Sequence, residues 1–285
     1  MTVIFTHTTS IFLNLTQNDR FSSPVPYRDL RFAHDIQNKY ASHRIGRSAP
    51  IMAELRSIKS ETEIAVMKEA MHITELAFRR VLAFTKPGVT EYEIEAEITH
   101  EFLRNRATGH AYTPIIASGP SACVLHYNEN NRVCNDGDVI LMDFGAEYAN
   151  YAADLTRCIP VNGKFTQRQK DVYNAVLRVM RAATAMLVPG NTIEQYHKEV
   201  GYVMERELVS LGLLTETEVK NQNPSAPAYK KYFMHGTSHF LGLDVHDIGD
   251  RYAPMQAGMV FTCEPGIYIP QEGLGIRIEN DILLT

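Results

Sequence analysis

The pattern of apolar and polar positions between residues 61 and 84 predicts a long amphipathic helix. Ile64, Met67 and Met71 recur at spacings of three and four residues, which places them on one face of a helix. A Pro-Gly pair follows at 87–88, where glycine closes the last turn and proline cannot continue it. We therefore expect one helix over 61–84.

Four helix starts carry the same signature, a Ser or Thr followed three positions later by Glu or Gln. In such a capping box the two side chains satisfy backbone N–H groups of the first turn. The signatures are Ser60/Glu63, Thr90/Glu93, Thr166/Gln169 and Thr192/Gln195. They predict helices over 61–84, 90–105 and 167–187, and a fourth that begins at residue 192.

This order of elements occurs twice along the chain. Both helix pairs contain the junction Pro-Gly-x-Thr, at 87–90 and at 189–192, and both are followed by an apolar, strand-like segment, at 137–145 and at 258–266. One Pro-Gly junction after a helix is common, but the repeated sequence of junction, helix and strand predicts a duplicated α+β unit. The fold class expected is α+β with pseudo-two-fold symmetry.

Four carboxylates accompany these strands: Asp143, Asp154, Glu264 and Glu279. Asp143 and Glu264 each stand six positions after the opening glycine of their strand, and a second acid follows 11 and 15 residues later, respectively. The duplication thus brings all four to one point near the pseudo-two-fold axis. An acid in an apolar strand is costly unless it is paired or binds a metal, so the four together predict a metal site.

Three histidines lie close together in the glycine-rich segment 235–249: His235, His239 and His246. Neutral imidazole is the commonest protein metal ligand and a frequent proton shuttle. Four carboxylates with one histidine form a hard donor set that favours Mn²⁺, with Zn²⁺, Co²⁺ and Fe²⁺ as alternatives. Five side chains exceed the three of a catalytic zinc and suit two metals about 3.5–4 Å apart that share a bridging water. The reaction class predicted is metal-assisted hydrolysis.

Composition excludes other classes of function. The chain has 285 residues, 45% hydrophobic and 21% charged, with a net charge of -5, which argues against general binding of nucleic acid or anionic membranes. It contains no apolar run long enough for a membrane helix and no signal-peptide pattern. Its four cysteines follow no CxxC spacing, so we expect reduced thiols and a cytoplasmic location.

Five motifs, in this order, resemble the M24 metallopeptidases, and most of all the Xaa-Pro aminopeptidases of the bacterial aminopeptidase P type. They are Leu141-Met-Asp143-Phe-Gly145, Ala153-Asp154-Leu-Thr-Arg157, His235-Gly-Thr-Ser-His239-Phe-Leu-Gly-Leu-Asp-Val-His246-Asp247, Glu264-Pro-Gly266 and Gly275-Ile-Arg277-Ile-Glu279. The resemblance implies the "pita-bread" fold, with a curved antiparallel sheet flanked by helices. It also implies a dinuclear centre, usually Mn²⁺, and removal of the N-terminal residue from peptides with proline in second position, through attack of a metal-bridging water or hydroxide on the scissile carbonyl.

The resemblance also assigns roles to residues. It implies that Asp143 chelates one metal, that Asp154 and Glu279 bridge both, and that His239 and Glu264 hold the other. Glu264 is further implied to accept a proton from the nucleophilic water.

The resemblance gives roles to other histidines as well. His126 is implied to assist the substrate amide and the leaving group, and His246 to stabilise charge on the scissile carbonyl. His235 is expected to line the substrate pocket, whereas His197 and the remaining histidines are expected at the surface or on helix faces. Two further side chains are implied to orient the carboxylates, Tyr268 and Arg277.

The resemblance places the catalytic domain at 56–285 and leaves 1–55 as an N-terminal segment. Short strand-like pieces at 3–5 and 11–15 and a proline turn at 24–26 leave three interpretations for that segment: a remnant of the family's N-terminal domain, an edge addition, or a linker. The domain is expected to be shortened after Glu279, and the full-length form is implied to be a homo-oligomer.

Two alternatives remain for the function. A prolidase cleaves Xaa-Pro dipeptides with the same five ligands, and residues that clamp a C-terminal carboxylate would distinguish it. A non-catalytic binding module, or an inactive fragment, is the alternative from a different class. A methionine aminopeptidase is disfavoured, because the run Leu-Gly-Leu-Asp-Val-His-Asp at 241–247 resembles the proline-directed branch of the family. The substrate class expected is a peptide, with no nucleic acid and no membrane as partner.

Overall fold

The computed structural model describes residues 7–15 and 27–285. The chain forms two compact units. The first contains the described residues up to 57 together with 248–250, and the second contains 58–247 and 251–285. None of the helices in the described ranges is long and apolar enough to cross a bilayer, and the four cysteines are free.

The first unit is a small α/β element. Strand β1 (Ser10–Leu13) pairs in parallel with β2 (Arg44–Arg47), and helix α1 (Arg28–Lys39) connects them; helix α2 (Ala49–Ser57) follows. Parallel strands need a crossover connection, which α1 provides. The strand expected near 11–15 is therefore confirmed, while the expected strand at 3–5 and the proline turn at 24–26 lie outside the described residues.

The second unit contains the predicted helices and strands. Its helices are α3 (Glu61–Phe84), α4 (Glu91–Arg104), α5 (Gln167–Met186), α6 (Ile193–Ser210) and α7 (Glu216–Lys220). Its strands are β3 (Gly109–His110), β4 (Ile115–Ser118), β5 (Val139–Asp143), β6 (Ala146–Tyr148), β7 (Tyr151–Ala152), β8 (Thr156–Pro160), β9 (Val260–Cys263), β10 (Gly266–Ile269), β11 (Leu274–Arg277) and β12 (Asn280–Leu283). Short 3-10 helices occur at Gly119–Cys123, Ala228–Lys231 and Pro270–Glu272.

The helix starts follow the predicted capping with one difference. Complete capping boxes begin α3, α4 and α5, and the helix predicted over 61–84 is confirmed. At α6 the Thr192 side chain accepts from the Gln195 N–H, but the Gln195 amide donates to Glu199 and the Thr192 N–H donates to the Asn191 side chain. The predicted fourth box is therefore wrong in one half, because other partners, Asn191 and Glu199, satisfy the two groups.

The duplication is visible in the backbone at the two Pro-Gly junctions. Gly88 and Gly190 both have a φ of 93°, a left-handed conformation that favours glycine. The Gly88 N–H donates to the Cys134 carbonyl and the Gly190 N–H donates to the Met255 carbonyl, both at 2.9 Å. The two junctions therefore occupy equivalent places in the two halves.

The strands that carry the acids start in the same backbone conformation but pair differently. Strand β5 lies between β4 and β8, whereas β9 pairs with β12 and β10 with β11, all antiparallel. Gly137 before β5 and Gly258 before β9 have φ values of 87° and 86°. The halves meet where the Glu279 N–H donates to the Thr156 carbonyl at 3.1 Å.

Each face of β5 packs against a different helix pair. Leu141 belongs to the core that contains the buried sides of α5 and α6, whereas Ile140 and Met142 belong to the core of α3 and α4. This is the period-two alternation of a strand that is buried on both faces. Burial of each such side chain stabilises the fold by about 1.5–3 kcal/mol. Packing on both faces therefore fixes the position of β5 and of Asp143 at its end.

Candidate metal centre

The five predicted ligands line a single cavity of about 770 Å³ within the second unit. Asp143 ends β5, Asp154 precedes β8, His239 precedes β9, Glu264 follows β9, and Glu279 lies between β11 and β12. Strand pairing brings them together although they are up to 136 positions apart in the chain. The cavity has the size of a typical small-ligand site.

The tightest group of donors consists of Asp154, His239 and Glu279. Each offers one ligand atom, and these atoms lie within 4.8 Å of one another. His239 Nε2 lies 3.5 Å from Asp154 Oδ2 and 3.7 Å from Glu264 Oε1. Asp143 stands beside this group, with its oxygens hydrogen-bonded to Tyr112 and Arg277.

The ring of His239 is oriented with one nitrogen toward the carboxylates. Its Nδ1 lies 2.9 Å from the Phe240 carbonyl oxygen, which can only accept, so Nδ1 carries a hydrogen and Nε2 faces the acids. Burial alone would lower the pKa of His239, but the hydrogen bond with Asp154 and the charge of Glu264 raise this pKa to about 9. This position therefore favours a positive charge.

Burial and mutual repulsion disfavour the ionised form of the carboxylates. Burial raises the pKa of Asp143, raises the pKa of Glu264 to about 7, and raises the pKa of Glu279 well above its ordinary value. In each case the charges of neighbouring carboxylates raise the pKa further. A divalent cation would offset both effects, because it neutralises the repulsion and replaces the lost water ligands. The donor set of this cavity thus fits divalent metal ions.

A chain of hydrogen bonds supports one side of the cavity. Arg277 forms an ion pair with Asp143, and its Nη1 donates to the Tyr268 hydroxyl oxygen at 2.9 Å. The Tyr268 hydroxyl lies 2.8 Å from His235 Nε2, and His235 Nδ1 lies 2.8 Å from the Gly236 carbonyl oxygen. Nδ1 is therefore the protonated nitrogen, and burial, together with the charge of Arg277, lowers the pKa of His235 to about 3. His235 is a neutral acceptor in this chain.

The two other predicted histidines also line the cavity. His126 lies in the turn that follows the 3-10 helix Gly119–Cys123. The ring of His246 meets the ring of His239 edge-on, with centroids 4.3 Å apart. Burial, and next the charge of His239, lower the pKa of His246. Every residue of the predicted site therefore lines this cavity except Tyr268. Tyr268 contacts two residues that do, His235 and Arg277.

Tyr112 is a residue of the site that no sequence motif indicates. Its hydroxyl lies 2.5 Å from Asp143 Oδ1 and 2.6 Å from Asp154 Oδ1, so one phenol connects two of the acids. The sequence around it, 109–113, has no pattern that distinguishes this tyrosine from the others. Thr156 also received no role, although it lies within a motif; its hydroxyl donates to Glu279 Oε2 at 2.6 Å.

His197 is a fifth histidine of the cavity that was not expected there. It lies on helix α6, in agreement with the expected helix-face position, but its ring faces the cavity beside Gly236 instead of solvent. Its Nε2 is buried and has no hydrogen-bond partner within the described residues. Burial lowers the pKa of His197 to about 4. Helical spacing could not reveal this contact, because the facing segment 235–239 is distant in sequence.

The bridging tyrosine gives a direct test of ligand orientation. We expect Tyr112→Phe to weaken metal binding by about 10- to 100-fold, because loss of a group that orients metal ligands typically costs this much. Calorimetric titration of the metal-free chain with Mn²⁺ measures the change. Tyr92→Phe on the exposed face of α4 is the matched control and should bind as the wild type does. Equal affinities in both variants would contradict the orienting role.

The duplicated α+β fold and its acid-rich cavity define a metalloprotein of the pita-bread class. The chain belongs to metallopeptidase family M24, whose model matches residues 65–285. The resemblance noted in the motifs is thereby confirmed.

Named relatives agree with this family. The Xaa-Pro aminopeptidase of Haemophilus influenzae is 45% identical over 251 residues, covering 83% of this chain and 57% of the relative. The Xaa-Pro aminopeptidase of Escherichia coli is 44% identical over 250 residues, covering 83% and 56%. The chain thus spans a little over half the length of these relatives.

A solved structure confirms the predicted fold class. Aminopeptidase P from Escherichia coli, with the inhibitor Pro-Leu, matches with a TM-score of 0.83 and 40% identity. The match covers 91% of this chain and 63% of that structure.

Proposed function

We propose that this chain is the catalytic region of an Xaa-Pro aminopeptidase, which removes the N-terminal residue from peptides with proline in second position. The observation that carries the proposal is the convergence of five potential metal ligands and four further histidines on one cavity. Membership of family M24 and the activity named for the relatives support it.

The same proposal assigns the metal ligands. Asp143, Asp154, His239, Glu264 and Glu279 would hold two divalent ions, with Asp154 and Glu279 shared between them. The oxygen-rich donor set favours Mn²⁺ among the possible ions. When bound, such a pair supplies Lewis acidity and a water of lowered pKa.

The protein's own groups would direct the proton and the developing charge. Glu264 would accept the proton that water releases on adding to the carbonyl carbon and deliver it to the proline nitrogen as the C–N bond breaks. His246 would donate a hydrogen bond to the carbonyl oxygen as charge develops, which is the electrostatic stabilisation that most lowers such barriers. His126 would bind the amide and act as the shuttle that passes this proton from Glu264 to the leaving nitrogen.

The supporting groups would hold this arrangement. Arg277 fixes one oxygen of Asp143. Burial and the charge of Arg277 lower the pKa of His235 to about 3 and keep it neutral, and the Tyr268 hydroxyl lies beside its Nε2 while Nδ1 faces the Gly236 carbonyl. A neutral His235 can line the pocket without repelling the substrate's N-terminal ammonium. The proposal also includes a cytoplasmic location, in agreement with the free cysteines, and assembly of the full-length protein into homo-oligomers.

A peptide cleavage assay tests the function. The metal-free protein, reloaded with Mn²⁺, is given an Xaa-Pro tripeptide, an Xaa-Pro dipeptide and Met-Ala-Ser, and the released residue is followed by chromatography. We expect the tripeptide to be cleaved fastest, because the cavity of about 770 Å³ has room for residues beyond a dipeptide. Preference for the dipeptide would favour the prolidase alternative. Binding of about two metals without cleavage would favour a binding module or an inactive fragment with a sound metal centre.

A further inference from the structure

A buried glutamate at the start of α4 binds the segment that carries His126. Glu91 is 0% exposed, yet it does not line the cavity and takes no part in the capping box, which Thr90 and Glu93 form. An acid buried in this way is costly unless hydrogen bonds satisfy it. The partners of Glu91 are therefore informative, because the proposed chemistry gives this residue no part.

Both carboxylate oxygens of Glu91 accept hydrogen bonds from the segment 118–132. Oε1 accepts from the Ser118 N–H at 2.8 Å, whereas Oε2 accepts from the Arg132 N–H at 2.9 Å and from the Tyr127 hydroxyl at 2.7 Å. The Glu91 N–H in turn donates to the Arg132 carbonyl at 2.9 Å. One side chain thus holds the two ends of the segment and one point between them.

The point between the ends is Tyr127, the residue directly after His126. Tyr127 is 7% exposed and belongs to the core that contains the buried sides of α5 and α6, whereas His126 is exposed and lines the cavity. Burial, and next the hydrogen bond to Glu91, raise the pKa of Tyr127, so its hydroxyl keeps the proton that it donates. The Ser121 hydroxyl and the Asn131 N–H contact the same hydroxyl. Tyr127 therefore anchors the backbone from which the His126 ring extends.

A second side chain secures the same segment independently of Glu91. Asn130 is 3% exposed, and its Oδ1 accepts from the Ile116 N–H at 2.9 Å. Its Nδ2 donates to Glu95 Oε2 at 2.8 Å and to the Pro114 carbonyl at 3.0 Å. These bonds attach the segment to α4 and to the start of β4. We therefore expect the fold to survive the loss of the Tyr127 hydroxyl.

We propose that Glu91 and Tyr127 are positioning residues that hold His126 at the catalytic cavity. The His126 ring is exposed, so its placement depends on the backbone of the turn more than on packing of the ring. Without the Tyr127 hydroxyl, the segment loses its middle anchor while both of its ends stay bound to Glu91. This inference rests on the proposed function in giving His126 a task in the reaction.

The test compares one substitution in two backgrounds. In the wild-type background, Tyr127→Phe should lower kcat for the Xaa-Pro tripeptide by about 10- to 100-fold at full metal content, since a misplacement of about 1 Å can cost about 100-fold. In the His126→Ala background the same substitution should change kcat by less than about twofold, because effects through one shared group are not additive. Tyr92→Phe, at the exposed residue next to Glu91, is the matched control in both backgrounds. No loss in the wild-type background, or an equal fold-loss in both, would overturn the proposal.

A second readout does not depend on turnover. In ¹H–¹³C spectra of the metal-free protein, the ring signal of His126 is assigned by its loss in His126→Ala. This signal should shift or broaden in Glu91→Gln, because the amide group of glutamine opposes donors where the carboxylate accepted. Glu216→Gln, at an exposed residue of α7, is the matched control and should leave the signal in place.

An unchanged His126 signal in Glu91→Gln would refute the positioning role. If the wild type cleaves no peptide, the proposed function fails, and the ring signal alone decides the positioning role. Should Glu91→Gln not fold, Tyr127→Phe, which keeps its ring in the core, takes its place in this measurement.

Discussion

His239→Ala is expected to lose at least one metal ion per chain and to reduce kcat by more than about a hundredfold, since even groups that merely orient ligands contribute about 10- to 100-fold. The Nε2 of this histidine is the nitrogen donor within the group whose ligand atoms lie within 4.8 Å of one another. Alanine offers no replacement, and the neighbouring acids would be left with less compensation of their charge. Metal content by mass spectrometry of the desalted protein, together with the tripeptide assay, measures both effects.

His100→Ala is the matched control for this substitution. His100 lies on the exposed side of α4, so its removal should leave metal content and turnover unchanged. Full metal content and wild-type turnover in His239→Ala would show that His239 is not a ligand. Loss of metal in both variants would point to general unfolding, which circular dichroism detects separately.

His126→Ala is expected to keep its full metal content and yet to be about 10²- to 10⁴-fold slower, the range of a lost general acid–base group. His126 lines the cavity from the turn after a 3-10 helix, outside the group of Asp154, His239 and Glu279. Its loss should therefore affect the handling of the substrate rather than the holding of metal. Steady-state kinetics with the tripeptide, beside metal analysis, separates the two effects.

Val124→Ala is the control for the same turn, because Val124 is 55% exposed and two residues away. It should retain wild-type kcat.

Added imidazole should restore part of the activity of His126→Ala but not of His239→Ala. Loss of metal from His126→Ala would make His126 a ligand or a structural residue, and the proposed shuttle role would be wrong.

The amino-acid sequence was enough to predict the main helices and strands and their duplication. Apolar spacing and capping signatures located α3 to the residue, because these signals depend on neighbours within one or two turns. The equal offsets of Asp143 and Glu264 from their glycines indicated the pseudo-symmetry, and the φ values of Gly137 and Gly258 differ by only 1°. Acids within apolar strands predicted a metal site, since burial of unpaired charge is too costly to persist.

In contrast, the side chains that support this site are recognised only in the folded chain. Tyr112 connects two acids, His197 enters the cavity wall, and Glu91 binds Tyr127. Each contact joins residues that are far apart in the chain, and a single tyrosine, histidine or glutamate in a sequence carries no sign of its distant partner. Hydrogen bonds and ion pairs act over a few ångströms, so the close approach created by strand pairing and helix packing determines them.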